Sequence, residues 1–346
     1  MTNNQMLTQA SQLPARPESH PHQRVKLIFN PNSGSPAESP AQLQVILGAL
    51  QAINLLPEVH LVEPEHDIRV VVKDALRRGH RLFVACGGDG TIDTVAAALA
   101  GTRGTLGIVP AGTRNNVAFS LGIPDDPRAA VDLLRTGRRL KIDVGLAVCG
   151  SEQRVFLEAV SVGLLSALFP ATDDIQHGNW ARLGDLLGTL IASPVAEIKL
   201  VLDGQPAVRT QGHIVVVTNM LYVGPRFRVD PGSSLDDGLL DVVVYAELSK
   251  IDLLGNVLQA ATGGIEDERI LRYKVQKLVV DTNPQMPIVV DGFPMGEGSL
   301  RLSVRRQALN VIAAPEAPEV QTAQATVGNA PAAPASADQA RTQAPS

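Results

Sequence analysis

The sequence predicts an α/β N-terminal domain, with a parallel sheet flanked by helices, followed by a β-sandwich C-terminal domain. Three observations lead there. Between Arg24 and about Val148, short β-branched runs alternate with stretches of helical period, the pattern of strand–helix–strand units. Beyond Val148, strands follow one another at hairpin-like spacing with few helices between them. The chain of 346 residues, 45% apolar and 19% charged, also exceeds what a single compact core usually holds. The reading divides it into a tail at 1–23, an α/β domain at 24–148, a β-rich domain at 149–313 whose last strand is free to return to the first domain, and a second tail at 314–346.

In chain order, the first domain offers a strand at Val25 to Phe29, a helix near Ala41 to Ile53, a strand at Glu58 to Val62 and a helix near Ile68 to Arg78. Leu82 to Cys86 and Leu106 to Val109 follow as strands, with helices starting at Ile92 and after Asn115. The β-rich part offers Val155 to Val162, Ile198 to Leu202, His213 to Thr218, Leu239 to Tyr245, Lys277 to Val280, Ile288 to Asp291 and Leu300 to Val304. Helices near Trp180 to Ala192 and Ile251 to Ala261 interrupt it. The two tails are Ala, Pro, Gln, Ser and Thr with few large apolar side chains, so they cannot offset the entropy of ordering and are expected to be disordered.

Composition excludes several functions. A net charge of -5 argues against nucleic acid as a partner, since displacing counterions from a polyanion needs a field of Lys and Arg. Two cysteines, Cys86 and Cys149, supply neither a disulfide framework nor a structural zinc site. The first residues lack the apolar core of a signal peptide, and no apolar run approaches the roughly 20 residues of a membrane span. The expectation is a cytoplasmic protein, at most peripheral at the inner membrane surface, with a homodimer compatible with the sequence.

In a parallel sheet ligands sit at the carboxyl ends of the strands, so the loops after Phe29, Cys86 and Val109 are where chemistry is expected. Gly87-Gly88-Asp89-Gly90-Thr91 follows an apolar strand and opens a helix, placing consecutive amides and a helix N-terminus around one spot. Its glycines admit a phosphate close to the backbone, and Thr91 is expected to cap the helix or donate to an anion. Its spacing is not the Gly-x-Gly-x-x-Gly of a dinucleotide site. Pro110-Ala111-Gly112-Thr113-Arg114-Asn115-Asn116 repeats the strand-to-helix arrangement, with Thr113 and Asn115 as polar ligands. Asn30-Pro31-Asn32-Ser33-Gly34 is a third loop that reads equally well as an ordinary Asn-Pro turn.

These strings, together with Leu121-Gly122-Ile123-Pro124, Asp143-Val144-Gly145 and Pro231 to Asp241, resemble the diacylglycerol kinase catalytic-domain family, which includes bacterial lipid kinases and sphingosine kinases. The resemblance runs in order from about Val25 to Ile312. It implies a fold of the NAD kinase/diacylglycerol kinase type, a nucleotide-binding first domain, a lipid-substrate second domain, ATP and magnesium (Mg2+) between them, and a lipid substrate at a membrane surface. By the same resemblance Asn30, Gly87, Gly88, Asp89, Gly90, Thr91, Gly112, Thr113 and Asn115 would bind the nucleotide, and Asp89 and Asp143 would organise magnesium. Asp237 with the carbonyls of Ser234 and Leu239 would form a second metal site, although Asp236-Asp237-Gly238 also reads as a solvated turn. Asp291, at the first acid of the family's Asp-Gly-Glu motif, would be the catalytic base, or Asp89 would serve in its place if the base is normally that Glu.

Departures from the family stand at Phe293, where Glu is usual, at Asn116 for Asp, at Asp93-Thr94 for Asn-Glu, and at Glu158 for the Asn of Phe-x-Asn. They leave open a degenerate kinase that binds lipid or nucleotide without turnover, and the shared Gly-Gly-Asp-Gly loop leaves open an NAD-kinase-like activity. The apolar stripe of Trp180, Leu183, Leu186, Leu187 and Leu190 reads as core or as a membrane contact.

Overall fold

The computed structural model describes residues 23–35, 37–164, 195–222, 232–247, 252 and 269–315. The first domain alternates β1 (Gln23–Phe29), α1 (Ser39–Ala52), β2 (Leu55–Leu61), α2 (Ile68–Arg77), β3 (Leu82–Gly87), α3 (Asp89–Leu99) and β4 (Thr105–Pro110). The four strands pair in parallel in the order β2-β1-β3-β4. Every residue of β3 and β4 is buried, as expected of parallel strands covered on both faces. Two helices after β4, α4 (Asn116–Ser120) and α5 (Pro127–Thr136), complete the layer. The starts of α2 and α5 are legible as caps: Asp67 accepts from the amide of Arg69 and Asp126 from that of Ala129, each at 2.8 Å.

The rest is strand: β5 (Arg138–Cys149), β6 (Glu152–Phe156), β7 (Ala159–Gly163), β8 (Ala196–Leu202), β9 (Val208–Thr218), β10 (Leu240–Ala246), β11 (Ile270–Val275), β12 (Lys277–Asn283), β13 (Pro287–Val290), β14 (Phe293–Glu297) and β15 (Leu300–Ala313). Their pairings in this part are antiparallel, and they form the C-terminal β-sandwich. Two cores result. One, with Phe29, Ile46, Leu50, Phe83, Ile92 and Leu99, lies between the parallel sheet and its helices. The other gathers Val160, Val162, Val215, Val217, Val242, Val244, Val280 and Ile288, every second residue along successive strands.

β15 ties the halves together. Its first residues pair with β12, its last pair in parallel with β4, and it runs antiparallel to β5 along nearly its whole length. The pairing shifts register between Arg305 and Leu309, where Gln307 takes a φ of +48°.

Several expectations need correcting. The run Val155 to Val162 is two strands, broken at Leu157-Glu158 because the carboxylate of Asp291 takes the amides of Leu157, Glu158 and Ala159 out of the ladder. β5, β11 and β14 were not foreseen; in β5 the cations Arg138, Arg139 and Lys141 hide the alternation of Leu140, Ile142 and Val144. Gln23, assigned to the tail, begins β1, and Leu239 stands just outside β10. The helix near Trp180 to Ala192 lies outside the described residues, as does that near Ile251 to Ala261 apart from Asp252. Among the described residues no helix is long and apolar enough to cross a membrane.

Candidate active site

The carboxyl ends of β3 and β4 are neighbours, with Gly87 paired to Pro110, so the loops that follow meet. The amide of Ala111 donates to the carbonyl of Gly87 at 3.0 Å. A Cβ built on Gly112 would lie 2.5 Å from the Cα of Gly88, closer than real side chains come, so backbone packs on backbone there. The third loop joins them: a Cβ on Gly34, whose φ is +68°, would fall 2.5 Å from the carbonyl oxygen of Ala111.

Side chains fasten this junction. Asn30 donates through Nδ2 to Thr91 Oγ1 at 2.9 Å and accepts from the amide of Asn32 at 3.0 Å, while Ser33 Oγ accepts from the amide of Gly88 at 3.2 Å. Asn115, in the left-handed region at φ +52°, closes on Gly112 with both ends of its amide. Asn30 and Asn115 therefore shape the loops. Of the two roles expected of Thr91, capping α3 is not the one taken: the cap position is Gly88, no side chain caps it, and the buried Thr91 hydroxyl accepts the Asn30 bond. Thr113 is exposed on its loop.

Four carboxyls face this junction from two sides: Asp89 and Asp93 on α3, Glu158 in the break between β6 and β7, and Asp291 in the turn between β13 and β14. Asp291 and Gly292 take φ of +47° and +79°, the two-residue hairpin geometry that Asp-Gly favours, and this aims Asp291 at three amides, 2.8 to 3.0 Å away. Desolvation pushes Asp291 up to about 6 despite those amides. Burial also raises Asp89, which is eased by the amides of Val117, Asn116 and Asn115 at the start of α4. Asp93 and Glu158 rise well above the ordinary range, first through burial and then through repulsion from the other acids. Oδ1 of Asp89 and Oδ1 of Asp93 are buried without a hydrogen-bond partner.

Because these groups keep protons that the unfolded chain releases, stability falls as pH rises from roughly 4 upward through their raised values. Asp93→Asn removes one of the charges. In magnesium-free buffer it is expected to stabilise the protein by about 1–2 kcal/mol at pH 8 and far less at pH 4.5, read from urea midpoints. A loss of stability at pH 8 would contradict the electrostatic account.

On the sandwich side of the junction stands Phe293, 40% exposed, with its Cζ 3.7 Å from where a Cβ of Gly90 would be. The guanidinium of Arg154, from β6, lies over the Phe293 ring at 4.5 Å.

Asp143 belongs to a different cluster. Its carboxylate, 1% exposed, accepts from the amides of Gly238 and Gln307, both at 2.6 Å, and its own amide donates to the carbonyl of Leu235. It clamps the 232–239 loop onto the bulge of β15, and among the described residues the hydrogen bonds of its carboxylate lie there and not with Asp89. In that loop Asp237 accepts from the amide of Leu239 at 2.9 Å, and Ser234 donates to Asp236 at 3.0 Å. Asp237 is pushed up chiefly by desolvation. Among the described residues no three His, Cys, Asp or Glu side chains gather in metal-ligating geometry.

A surface cavity of about 320 Å3 lies away from these loops, lined by Gln23, Arg24, Arg78, Gly79, His80 and Arg81. Its cations already have partners: Arg24 and Arg78 pair with Glu58, and Arg81 donates to the carbonyls of Leu76 and His80. Its turn has no amide to spare either, since those of Arg78, Gly79 and His80 donate to main-chain carbonyls.

A family model described as the diacylglycerol kinase catalytic domain matches residues 24–147, and one described as the YegS C-terminal NAD kinase beta sandwich-like domain matches residues 186–313. The Bacillus subtilis protein named diacylglycerol kinase is 30% identical over 281 residues, 78% of this chain and 89% of that one. The chain belongs to the diacylglycerol kinase catalytic-domain family. A Pseudomonas aeruginosa protein named "Probable lipid kinase YegS-like" is 31% identical over 258 residues, 73% of this chain and 83% of that one. The structure of a diacylglycerol kinase from Bacillus anthracis shares the fold, with a TM-score of 0.66 at 21% identity over 85% of this chain and 97% of that one.

Two departures from the family's residues prove to be one. Asn116, where Asp is common, donates through Nδ2 at 2.9 Å to Glu158, where Asn is common, so the acid and the amide have changed places across one hydrogen bond. Phe293 has no such compensating acid among its described contacts, and Asp93, marked in the sequence only as a departure from Asn, is a member of the acid cluster to which the motifs gave no role. Its signal was available: an acid two residues after Thr91, facing inward on a helix of small apolar residues.

Proposed function

We propose that this protein transfers the γ-phosphate of ATP to the hydroxyl of a diacylglycerol-like or sphingoid-like lipid. The observation that carries the reading is the junction of Gly34, Gly88 and Gly112, where two strand-to-helix turns meet with no side chain between them. Amides and a helix N-terminus there suit a polyphosphate. Gly87, Gly90 and the exposed Thr113 would complete the phosphate contacts.

Magnesium fits the acids present. Two buried, unpartnered carboxylate oxygens, on Asp89 and Asp93, sit in a cluster of four carboxyls whose charges raise Asp93 and Glu158, which is where a divalent ion would relieve charge. Asp89 would hold it, with phosphate oxygens and water supplying the other positions. When bound, the ion neutralises charge on the phosphates. Asp291 would accept the hydroxyl proton: three amides fix its carboxyl, and its value of about 6 suits a base near neutral pH. Asp237 and the carbonyls of Ser234 and Leu239 would form the second cation site. The lipid would be met at a membrane surface.

Incubation with labelled ATP, magnesium and vesicles containing diacylglycerol or a sphingoid base tests this. Label in the lipid is the expected result; ATP binding without labelled lipid, alongside an active control kinase, would contradict it. Phe293 supports a second reading, a chain that binds without turnover, in which Phe293→Glu restores transfer.

A further inference from the structure

Arg154 is the least explained charged group near the junction. It is half-buried on β6, yet among the described residues none accepts a hydrogen bond from it or pairs with it, although its charge lowers the values of Asp93 and Asp291 nearby. Its contact is the stack on Phe293, and Phe293 in turn covers Gly90 of the glycine loop. A guanidinium stacked on a ring keeps its five in-plane N–H donors available, whereas one paired with a carboxylate gives up two.

We infer that Arg154, held on the face of Phe293, is an anion clamp for the γ-phosphate of the nucleotide. This inference rests on the kinase reading above. The residue at 293 then has a physical purpose: an acid there would capture the guanidinium in a salt bridge, and the aromatic ring positions it without engaging its donors. In the transfer step the lipid oxygen bonds to the γ-phosphorus as the bond to the β–γ bridging oxygen breaks. ADP leaves with that electron pair, the hydroxyl proton passes to Asp291, and Arg154 holds charge on the phosphoryl oxygens throughout, breaking no bond. Phe293 is a positioning residue that acts through Arg154.

The test uses the full chain, with ATP and ADP affinities from calorimetry and transfer rates from labelled ATP. Arg154→Ala should leave ADP binding and thermal stability near wild type, remove about tenfold of any preference for ATP over ADP, and lower kcat by about 10²-fold. Arg154→Gln, of similar length, serves if the alanine variant does not fold. Phe293→Glu should reproduce both losses in part, and Phe293→Leu should be milder. An unchanged ATP preference in Arg154→Ala, an equal loss for ADP, or, beside an active wild type, a Phe293→Glu variant as active or more so would overturn the clamp while leaving the kinase reading intact; transfer by Phe293→Glu alone would overturn both. A wild-type protein that binds neither nucleotide would overturn both.

Discussion

Gly112→Ala is expected to abolish nucleotide binding and to cut phosphoryl transfer by more than about 10²-fold. The new methyl would stand 2.5 Å from the Cα of Gly88 and 3.0 Å from Asn115 Oδ1, against two groups of which one is backbone. Relief requires the 110–116 turn to move off the 87–91 turn, which opens the polyphosphate seat and strains the Asn115 bonds to Gly112. Overpacking of this kind costs about 1–3 kcal/mol, so the variant should fold and the binding loss is separable from unfolding. Gly48→Ala is the control: nothing lies within 4 Å of its Cβ, and in the middle of α1 it should bind nucleotide normally and gain up to about 1 kcal/mol of stability. Calorimetry with ATP and magnesium, beside urea unfolding of both variants, gives the comparison.

The largest effect on stability is expected from Asp143→Ala. The buried amide of Gly238 and the part-buried amide of Gln307 would lose their acceptor, a loss that costs about 1–3 kcal/mol for a buried group and less for a part-buried one. A total of about 2–4 kcal/mol follows, read as a fall in the urea midpoint. Asp143→Asn keeps one acceptor oxygen and should lose roughly half as much. If Asp143 served mainly to organise magnesium, its removal would instead leave stability nearly unchanged and weaken metal-dependent turnover alone. The loss of the carboxylate should also loosen the loop at Gly238 for proteolysis, while the main-chain amide of residue 143 still holds the carbonyl of Leu235.

The first domain was legible because its signals are local. Buried parallel strands read as apolar runs, and Asp67 and Asp126 mark helix starts within three residues of the amides they cap. The glycine loops were legible for the same reason: what they offer is the backbone that Gly87, Gly88 and Gly112 leave bare. What escaped depends on long-range pairing. β5 and β15 stabilise each other across more than 150 residues of sequence, from Cys149 against Leu300 to Arg138 against Ala313, and charged side chains on β5 mask its alternation. The strand break at Leu157-Glu158 is made by Asp291 from another hairpin.

The site was legible residue by residue but not in its groupings. Motifs named Asp89, Asp143 and Asp291 together, and the fold sorts them into an acid cluster beside α3 and a clamp under the 232–239 loop. Arg154 went unnoticed because an arginine on a strand announces nothing until the ring beneath it is seen.

Amide hydrogen exchange of the full-length protein with and without ATP and magnesium tests the central claim most directly. The account predicts slowed exchange concentrated at 87–91 and 111–116, where the glycine turns meet. Slowing confined to the Arg24, Arg78 and Arg81 cavity, with the two turns unchanged, would contradict it.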